Sequence, residues 1–128
     1  MLYIPATTFL TGIFALMLVI LSLNVSLRRR ELRVALGDAD DSILRRRMRA
    51  HGNFIEYAPM MVLLCAALEI TGYATSPVIW GLVAAFIIAR LFHALGVLHL
   101  PGGSQPIGMV LQHITMIVGA VMLLVGLL

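Results

Sequence analysis

A long uncharged segment, residues 4–27, is the feature that most constrains what this chain can fold into. About 20 apolar residues are enough to cross the hydrocarbon core of a bilayer as a helix. The segment has no basic region before it, is too long for the apolar part of a signal peptide, and is followed by three arginines. It therefore predicts a membrane span and not a cleaved leader.

Three further apolar segments, residues 50–72, 78–98 and 107–128, alternate with short polar connections. Hydrophobic residues make up 61% of the chain and charged residues 12%, and the mean hydropathy is +1.02. These values exclude a soluble domain of this length. Together with the first span, the segments predict an all-α, integral membrane four-helix bundle that forms one domain over residues 1–128.

The basic residues are concentrated in one connection. Of the nine, all but Arg90 lie between Arg28 and Arg49, and none is a lysine. Such a segment between apolar spans is typical of a cytoplasmic loop and not of a face that binds nucleic acid. This orientation places both termini on the outer, periplasmic side of an inner membrane.

The same connection predicts where two helices end and begin. Gly37 is the expected cap of the first helix, and Asp41 or Ser42 is the expected N-cap of the second. The second helix then starts outside the membrane, enters it near residue 49 and ends close to Gly72. Glu69, near that far end, is interpreted as structural.

Three polar residues enter the second span with the spacing i, i+4, i+7: Arg49, Asn53 and Glu56. At about 100° per residue they lie within roughly 60° of one helix face. Pro59 follows and predicts a kink, because proline removes a backbone hydrogen bond inside a helix. Charged groups entering hydrocarbon must face protein or a ligand. The residue types alone leave open a ligand site or a structural ion pair.

Polar residues of three spans share one predicted depth. With a rise of 1.5 Å per residue, a layer about 10 Å inside the membrane contains Asn53, Glu56, Arg90, His93 and His113. Glu56 and Arg90 are expected to pair, because an unpaired charge at this depth costs at least ~3 kcal/mol. Arg90 and His113 are interpreted as structural members of this layer.

Two motifs resemble a known family. The second-span motif comprises Arg49, Ala50, Asn53, Glu56, Tyr57 and Pro59. It resembles the signature of the MAPEG family, the membrane-associated proteins of eicosanoid and glutathione metabolism. Residues 89–96, with Arg90 and His93, resemble the family's third-span motif. The resemblance covers essentially the whole chain and is greatest to the small bacterial members.

The resemblance implies a homotrimer that binds glutathione between neighbouring subunits near the cytoplasmic face. The positions that match glutathione contacts are Arg49, Asn53, Glu56 and Tyr57. Arg29 or Arg30 matches a basic position contributed by the adjacent subunit. Glutathione carries two carboxylates and one ammonium, which suit arginine forks and the Glu56 carboxylate respectively.

The implied reaction is attack of a glutathione thiolate on a lipophilic electrophile or peroxide that arrives from the bilayer. A nearby cation or hydrogen-bond donor must stabilise the thiolate. Active family members carry an arginine beyond the third-span motif and often a tyrosine near its end. Here Val97 stands near the tyrosine position, and residues 99–105 contain no arginine. The thiolate-activating cation is therefore either missing or replaced, and His93 and His99 are the candidate replacements.

Three functions remain open at this stage. The first is a glutathione-dependent transferase or peroxidase, with glutathione as co-substrate. The second is a non-catalytic protein of the same fold that binds glutathione or lipid. The third, a small four-span transporter, is suggested by Glu56, Arg90 and the histidines, but the first span lacks the acidic residue that such exporters carry. Cys65 is the only cysteine, so neither an internal disulfide nor a metal cluster is expected.

Overall fold

Four α-helices form the described part of the chain, residues 3–99 and 103–128 of a computed structural model, and no strand occurs there. They are α1 (Pro5–Leu32), α2 (Ser42–Thr71), α3 (Ser76–Leu98) and α4 (Gln105–Gly126). Each contains a window with mean hydropathy between 1.6 and 2.2 and is long enough to cross a membrane. The predicted all-α, four-span fold is confirmed. Residues 100–102, within the connection before α4, lie outside the described residues.

The helix ends beside the arginine-rich connection agree only in part with prediction. Asp41 is the N-cap of α2, and its Oδ1 accepts a hydrogen bond of 2.6 Å from the backbone nitrogen of Leu44. The predicted cap at Gly37 is wrong, because α1 already ends at Leu32 and Arg33 adopts the left-handed conformation with φ of 57°. The backbone nitrogen of Val34 reaches back five residues, which is the bond that closes a Schellman motif.

Ion pairs hold the connection between α1 and α2 in place. Arg28 contacts Glu31 and Asp41, each at 2.8 Å, and Arg45 contacts Asp38 at 2.8 Å and Asp40 at 3.6 Å. The Arg28 guanidinium, with help from the Leu44 amide, lowers the pKa of Asp41 to about 2. All four acidic residues of the arginine-rich connection are therefore occupied by only two of its eight arginines.

The opposite ends of α1 and α2 are joined by a carboxylate. The side chain of Glu69 accepts hydrogen bonds from the backbone nitrogens of Ala6 at 3.0 Å and Thr7 at 2.8 Å. These amides belong to the first turn of α1, where N–H groups have no partner within the helix. Glu69 therefore supplies the cap that α1 lacks in its own sequence, which agrees with its predicted structural role.

The core lies where α1, α2 and α3 cross. Phe14 packs against Phe54 at 5.3 Å and against Phe86 at 5.8 Å between ring centroids. Phe54 and Phe86 are buried side chains of α2 and α3. α2 continues through Pro59 as one helix, with the proline exposed on the outer side of the bundle. The remaining outer faces carry mainly exposed Leu, Ile and Val, as expected for helices in contact with lipid.

A glycine lets α3 and α4 approach closely. A Cβ atom at Gly108 of α4 would lie 2.5 Å from the backbone nitrogen of His93 and 2.6 Å from the carbonyl oxygen of Ala89. Both distances are too short for any side chain. Gly108 therefore brings the backbone of α4 directly onto the α3 turn that carries Arg90 and His93.

Candidate functional site

Four buried polar side chains from three helices form one hydrogen-bonded group, which we call the interior cluster. Its members, each at most 2% exposed, are Asn53, Arg90, His93 and Gln112. Nη1 of Arg90 donates a hydrogen bond to Oδ1 of Asn53 at 2.9 Å and another to Oε1 of Gln112. Nη2 of Arg90 lies 3.5 Å from Nδ1 of His93. Arg90 is thus the centre that ties α2, α3 and α4 together.

The predicted ion pair between Glu56 and Arg90 is wrong. No salt bridge joins them among the described residues, and Glu56 is exposed whereas Arg90 is buried. The guanidinium instead donates hydrogen bonds to two amide oxygens and lies over the ring of Phe54, whose centroid is 5.7 Å from Cζ. An aromatic ring and amide oxygens are uncharged groups that can stabilise a buried guanidinium without a carboxylate.

Helix geometry explains why the polar stripe of α2 divides. Asn53 lies about 40° from Arg49 and about 60° from Glu56 around the helix. The buried side chains of α2, such as Phe54, lie on the Asn53 side of the stripe. Asn53 therefore turns into the bundle, while Arg49 and Glu56 are exposed on its outside. Residues that span 60° around a helix axis can therefore lie on both sides of the boundary between the buried face and the exposed face.

The sequence predicted that His113 belongs to the shared polar layer. In the structure it lies outside the interior cluster. It is exposed, its Nδ1 lies 2.6 Å from the carbonyl oxygen of Met109, and its ring meets Tyr57 edge-on at 5.5 Å. The preceding residue, Gln112, takes the place in the cluster. The inward position of Gln112 follows from the helical spacing i, i+4, i+7, i+11 of the buried residues of α4. These residues are Gly108, Gln112, Thr115 and Gly119.

An open groove on the arginine-rich end of the bundle has a volume of about 510 Å³. We call it the basic groove. One wall consists of the exposed arginines of the first turns of α2, and the other of α3 and α4, with lining residues Ser42, Arg45, Arg46, Arg49, Gly96, Val97 and Gln105. Among the described residues, no carboxylate lines this groove. Arg45 is paired with Asp38, whereas Arg46 and Arg49 make no hydrogen bond or ion pair with the described residues.

The two candidate arginines at the end of α1 differ in exposure and in side-chain hydrogen bonding. Arg29 is half-buried and donates to the carbonyl oxygen of Ala35 at 3.0 Å, with its Nη2 3.5 Å from the sulfur of Met48. Arg30 is exposed and has no side-chain hydrogen bond within the described chain. Of the two, Arg30 is the one whose guanidinium is available to another molecule.

The structure does not bring the two candidate catalytic histidines together. His93 belongs to the interior cluster, and His99, exposed at the end of α3, lines a smaller pocket with Arg46 and Arg47. Nor does the basic groove contain Asn53, Glu56 or Tyr57. Among residues 3–99 and 103–128, no group of three His, Cys, Asp or Glu side chains is arranged to hold a metal ion.

Four apolar helices around a buried polar cluster define the protein as a polytopic membrane protein. The chain belongs to the MAPEG family, which it matches over residues 7–127. The inner membrane protein YecN of Escherichia coli K12 is 38% identical over 86 residues, which cover 66% of this chain and 64% of the relative. YecN of Escherichia coli O6:H1 matches to the same extent.

The match spans slightly less than two thirds of the length of these relatives. No solved structure matches the chain. The family match, the four apolar helices and the inner-membrane relative together identify an integral inner membrane protein of the glutathione and eicosanoid metabolism family.

Proposed function

We propose that the protein binds glutathione at its arginine-rich end and uses it as co-substrate in a transferase or peroxidase reaction on lipophilic electrophiles. The observation that carries the proposal is the basic groove, in which Arg46 and Arg49 have no acidic partner among the described residues. Free guanidinium groups facing a cleft bind carboxylates through paired, charge-assisted hydrogen bonds. Glutathione brings two carboxylates, and family membership supports it as the ligand.

The spacing along α2 supports a tripeptide. Arg49 and Glu56 are seven positions apart, which corresponds to about 10 Å along the helix, and they differ by only about 20° around it. An extended tripeptide spans at most about 10 Å. In this proposal the carboxylate of the glycine end lies against Arg49, and the ammonium of the other end lies near Glu56.

A second copy of the chain completes the proposed site. Glu56 is exposed on the lipid-facing side of α2, and it has no salt-bridge partner among the described residues. An unpaired carboxylate next to hydrocarbon is costly, so a ligand or a neighbouring protomer must cover it. We propose a homotrimer in which Arg30 of the adjacent subunit supplies the remaining cation, with the arginine-rich end facing the cytoplasm.

The proposed thiolate lies between the two ends of the ligand, above the α2 turn that separates Arg49 from Glu56. Guanidinium groups of the basic groove lower the pKa of a nearby thiol by favouring its charged form. His99 adjoins the groove through the shared lining residue Arg46, and it remains a candidate for the same role. His93 is buried in the interior cluster and is not among the residues that line the groove, which leaves His99 as the candidate.

The test uses the purified protein in detergent, with glutathione binding measured by calorimetry. Arg49→Ala should weaken binding by about 1.5 kcal/mol, the value of a charge-assisted hydrogen bond. Arg33→Ala is the matched control, because Arg33 is exposed and does not line the groove. Equal affinities of the two variants would remove Arg49 from the site and would count against the groove as the binding place.

Turnover is measured separately, with a chlorodinitrobenzene-type electrophile and with a lipid hydroperoxide. We expect conjugate or alcohol to form only in the presence of glutathione. His99→Asn should shift the pH profile of the rate if His99 stabilises the thiolate. Glutathione-independent product would contradict the proposed reaction.

A second candidate function is binding without turnover. The α3–α4 wall of the groove offers Gly96, Val97 and Gln105, and none of these carries a hydroxyl or a charge. If stabilisation of the thiolate requires a donor on that wall, the protein binds glutathione and leaves it unreacted. Measurable affinity with no product from either substrate is the result expected for this alternative.

A further inference from the structure

A second pocket at the arginine-rich end lies where α1, α2 and α3 meet, and it has a volume of about 240 Å³. We call it the junction pocket. Its lining residues are Asn24, Ile43, Arg46, Arg47, Leu98 and His99. It shares Arg46 with the basic groove but is otherwise separate from it.

The lining of the junction pocket is suited to an anion. Two guanidinium groups and an imidazole line it, and no carboxylate does so in the part of the chain that the structure describes. The acids of the connection cannot neutralise these groups, because Arg28 and Arg45 already pair with all four of them. Arg47 donates one hydrogen bond of 2.8 Å to the carbonyl oxygen of Asn24, which fixes the guanidinium at the pocket and leaves its other donors free.

Apolar residues beside the pocket indicate what kind of anion it holds. Ile43 is 45% exposed although it lines a charged pocket, and Leu98 contributes a second apolar surface. On α1, Ile20 lies one turn deeper than Asn24 on the same side, and Leu16 lies one turn deeper again, with both exposed. A continuous apolar track therefore leads from the pocket towards the middle of the membrane.

We propose that the junction pocket binds the phosphate of an anionic phospholipid such as phosphatidylglycerol. Arg46, Arg47 and His99 bind the phosphate oxygens, and the acyl chains follow the track along α1. Basic pockets between spans, next to the membrane surface, have the charge and position to bind such headgroups. An inorganic phosphate would match the charge but would leave Ile43 and the α1 track uncovered.

The proposal does not depend on glutathione binding. Arg47 and His99 line the junction pocket but not the basic groove, whereas Arg49 lines the groove alone. An Arg47 variant therefore tests the lipid site alone, and the Arg49 variant tests the glutathione site alone, whereas a His99 variant bears on both proposals. Failure of the lipid site in the Arg47 variant leaves the glutathione site unaffected.

The experiment is native mass spectrometry of the full-length protein released from detergent, with titration of dioleoylphosphatidylglycerol or dioleoylphosphatidylcholine. We expect the anionic lipid to remain bound at concentrations at which the zwitterionic lipid is lost. Arg47→Gln combined with His99→Asn should weaken retention about tenfold, which corresponds to one charge-assisted hydrogen bond. Arg33→Gln removes the same charge from an exposed position outside the pocket and should keep wild-type retention.

Several results would overturn the proposal. Equal retention of the two lipids, or equal loss in Arg33→Gln and in the double variant, would show that attraction to the general positive charge is enough. Thermal stabilisation by inorganic phosphate as large as that by phosphatidylglycerol would identify a free-anion site. Lipid bound to the monomer but absent from oligomers of the chain would show that a second protomer, and not lipid, occupies the pocket. Arg47→Gln alone provides the comparison if the double variant does not fold, because Arg47 lines the junction pocket and not the basic groove.

Discussion

The interior cluster and the basic groove contain the same kinds of residue but use them in opposite ways. In the cluster, Arg90 is buried and donates hydrogen bonds to two amide oxygens of the same protomer, while its Nε has no partner among the described residues. In the groove, Arg49 is exposed and has no acidic partner among the described residues. The difference shows that two positions one turn apart on the same stripe have separate environments: Asn53 is bonded inside the bundle, and Arg49 lines an open groove.

Among the variants that test this comparison, Arg90→Ala is expected to change stability the most. Arg90→Ala should lower the free energy of unfolding in detergent by about 3 kcal/mol, because it leaves a cavity and removes the partner of two buried amides. Arg49→Ala should leave stability unchanged. Thermal and denaturant unfolding of the two variants measure the contrast. If they were equally stable, the division between a structural and a binding arginine would be wrong.

The contact between α3 and α4 that supports the cluster gives the next largest effect. Gly108→Ala should destabilise the protein by about 2 kcal/mol, because the added methyl overlaps the α3 backbone and forces the helices apart. Gly81→Ala is the matched control, since a Cβ there meets no atom within 4 Å. Unfolding curves of both variants, recorded under identical conditions, separate packing from helix propensity. Wild-type stability of Gly108→Ala would mean that α3 and α4 are further apart.

Glu56 tests the proposed ligand-binding side of the comparison. Glu56→Gln keeps the size of the side chain and removes its charge, so glutathione affinity should fall by about 1 kcal/mol while the unfolding curve stays unchanged. Asn53→Ala should instead affect both, because Asn53 accepts a hydrogen bond from Arg90. Calorimetric titration and thermal unfolding of each variant give the two readouts. Loss of stability in Glu56→Gln would show that its carboxylate belongs to the bundle.

The smallest expected effect is a pH dependence at the arginine-rich end. Hydrogen bonds from Arg28 and Leu44 lower the pKa of Asp41 to about 2, from an ordinary value of 3.8. Because the folded-state pKa is lowered, the stabilisation by the Asp41 charge is present above about pH 4 and is lost as the pH falls towards 2. Asp41→Asn keeps a side-chain oxygen for the N-cap and lacks this charge.

Melting temperatures in detergent should therefore differ between wild type and Asp41→Asn at pH 6 and converge near pH 2. Asp41→Ala, which also loses the cap, should melt below Asp41→Asn at both pH values. A constant gap between wild type and Asp41→Asn across this range would contradict the role of the Arg28 pair.

Much of the fold could be predicted because each span is specified by local properties. The uncharged segment 4–27 and the three apolar segments after it determine the helix count, and Asp41 caps α2 because its short carboxylate suits that position. Depth could also be predicted, since helical rise is constant. Arg90, His93 and Asn53 do lie together.

The partners of those residues could not be predicted from depth alone. Opposite charge predicted Glu56 as the partner of Arg90. The orientation of α2 about its own axis instead places Glu56 on the outside and Asn53 on the inside. On α4, the neighbours Gln112 and His113 differ by about 100° around the helix, and only the buried spacing from Gly108 selects the first. Rotation of each helix about its axis is set by packing between helices, which a single sequence specifies weakly.

The contact of Glu69 with the first turn of α1 has a consequence for biogenesis. Until Glu69 arrives, the amides of Ala6 and Thr7 have only water or lipid headgroups as partners. The carboxylate lies at the distal end of α2, so translation must proceed past the whole second helix before the first is completed. We therefore expect the first turn of α1 to become fully capped only when α2 has packed against it as the second arm of a helical hairpin.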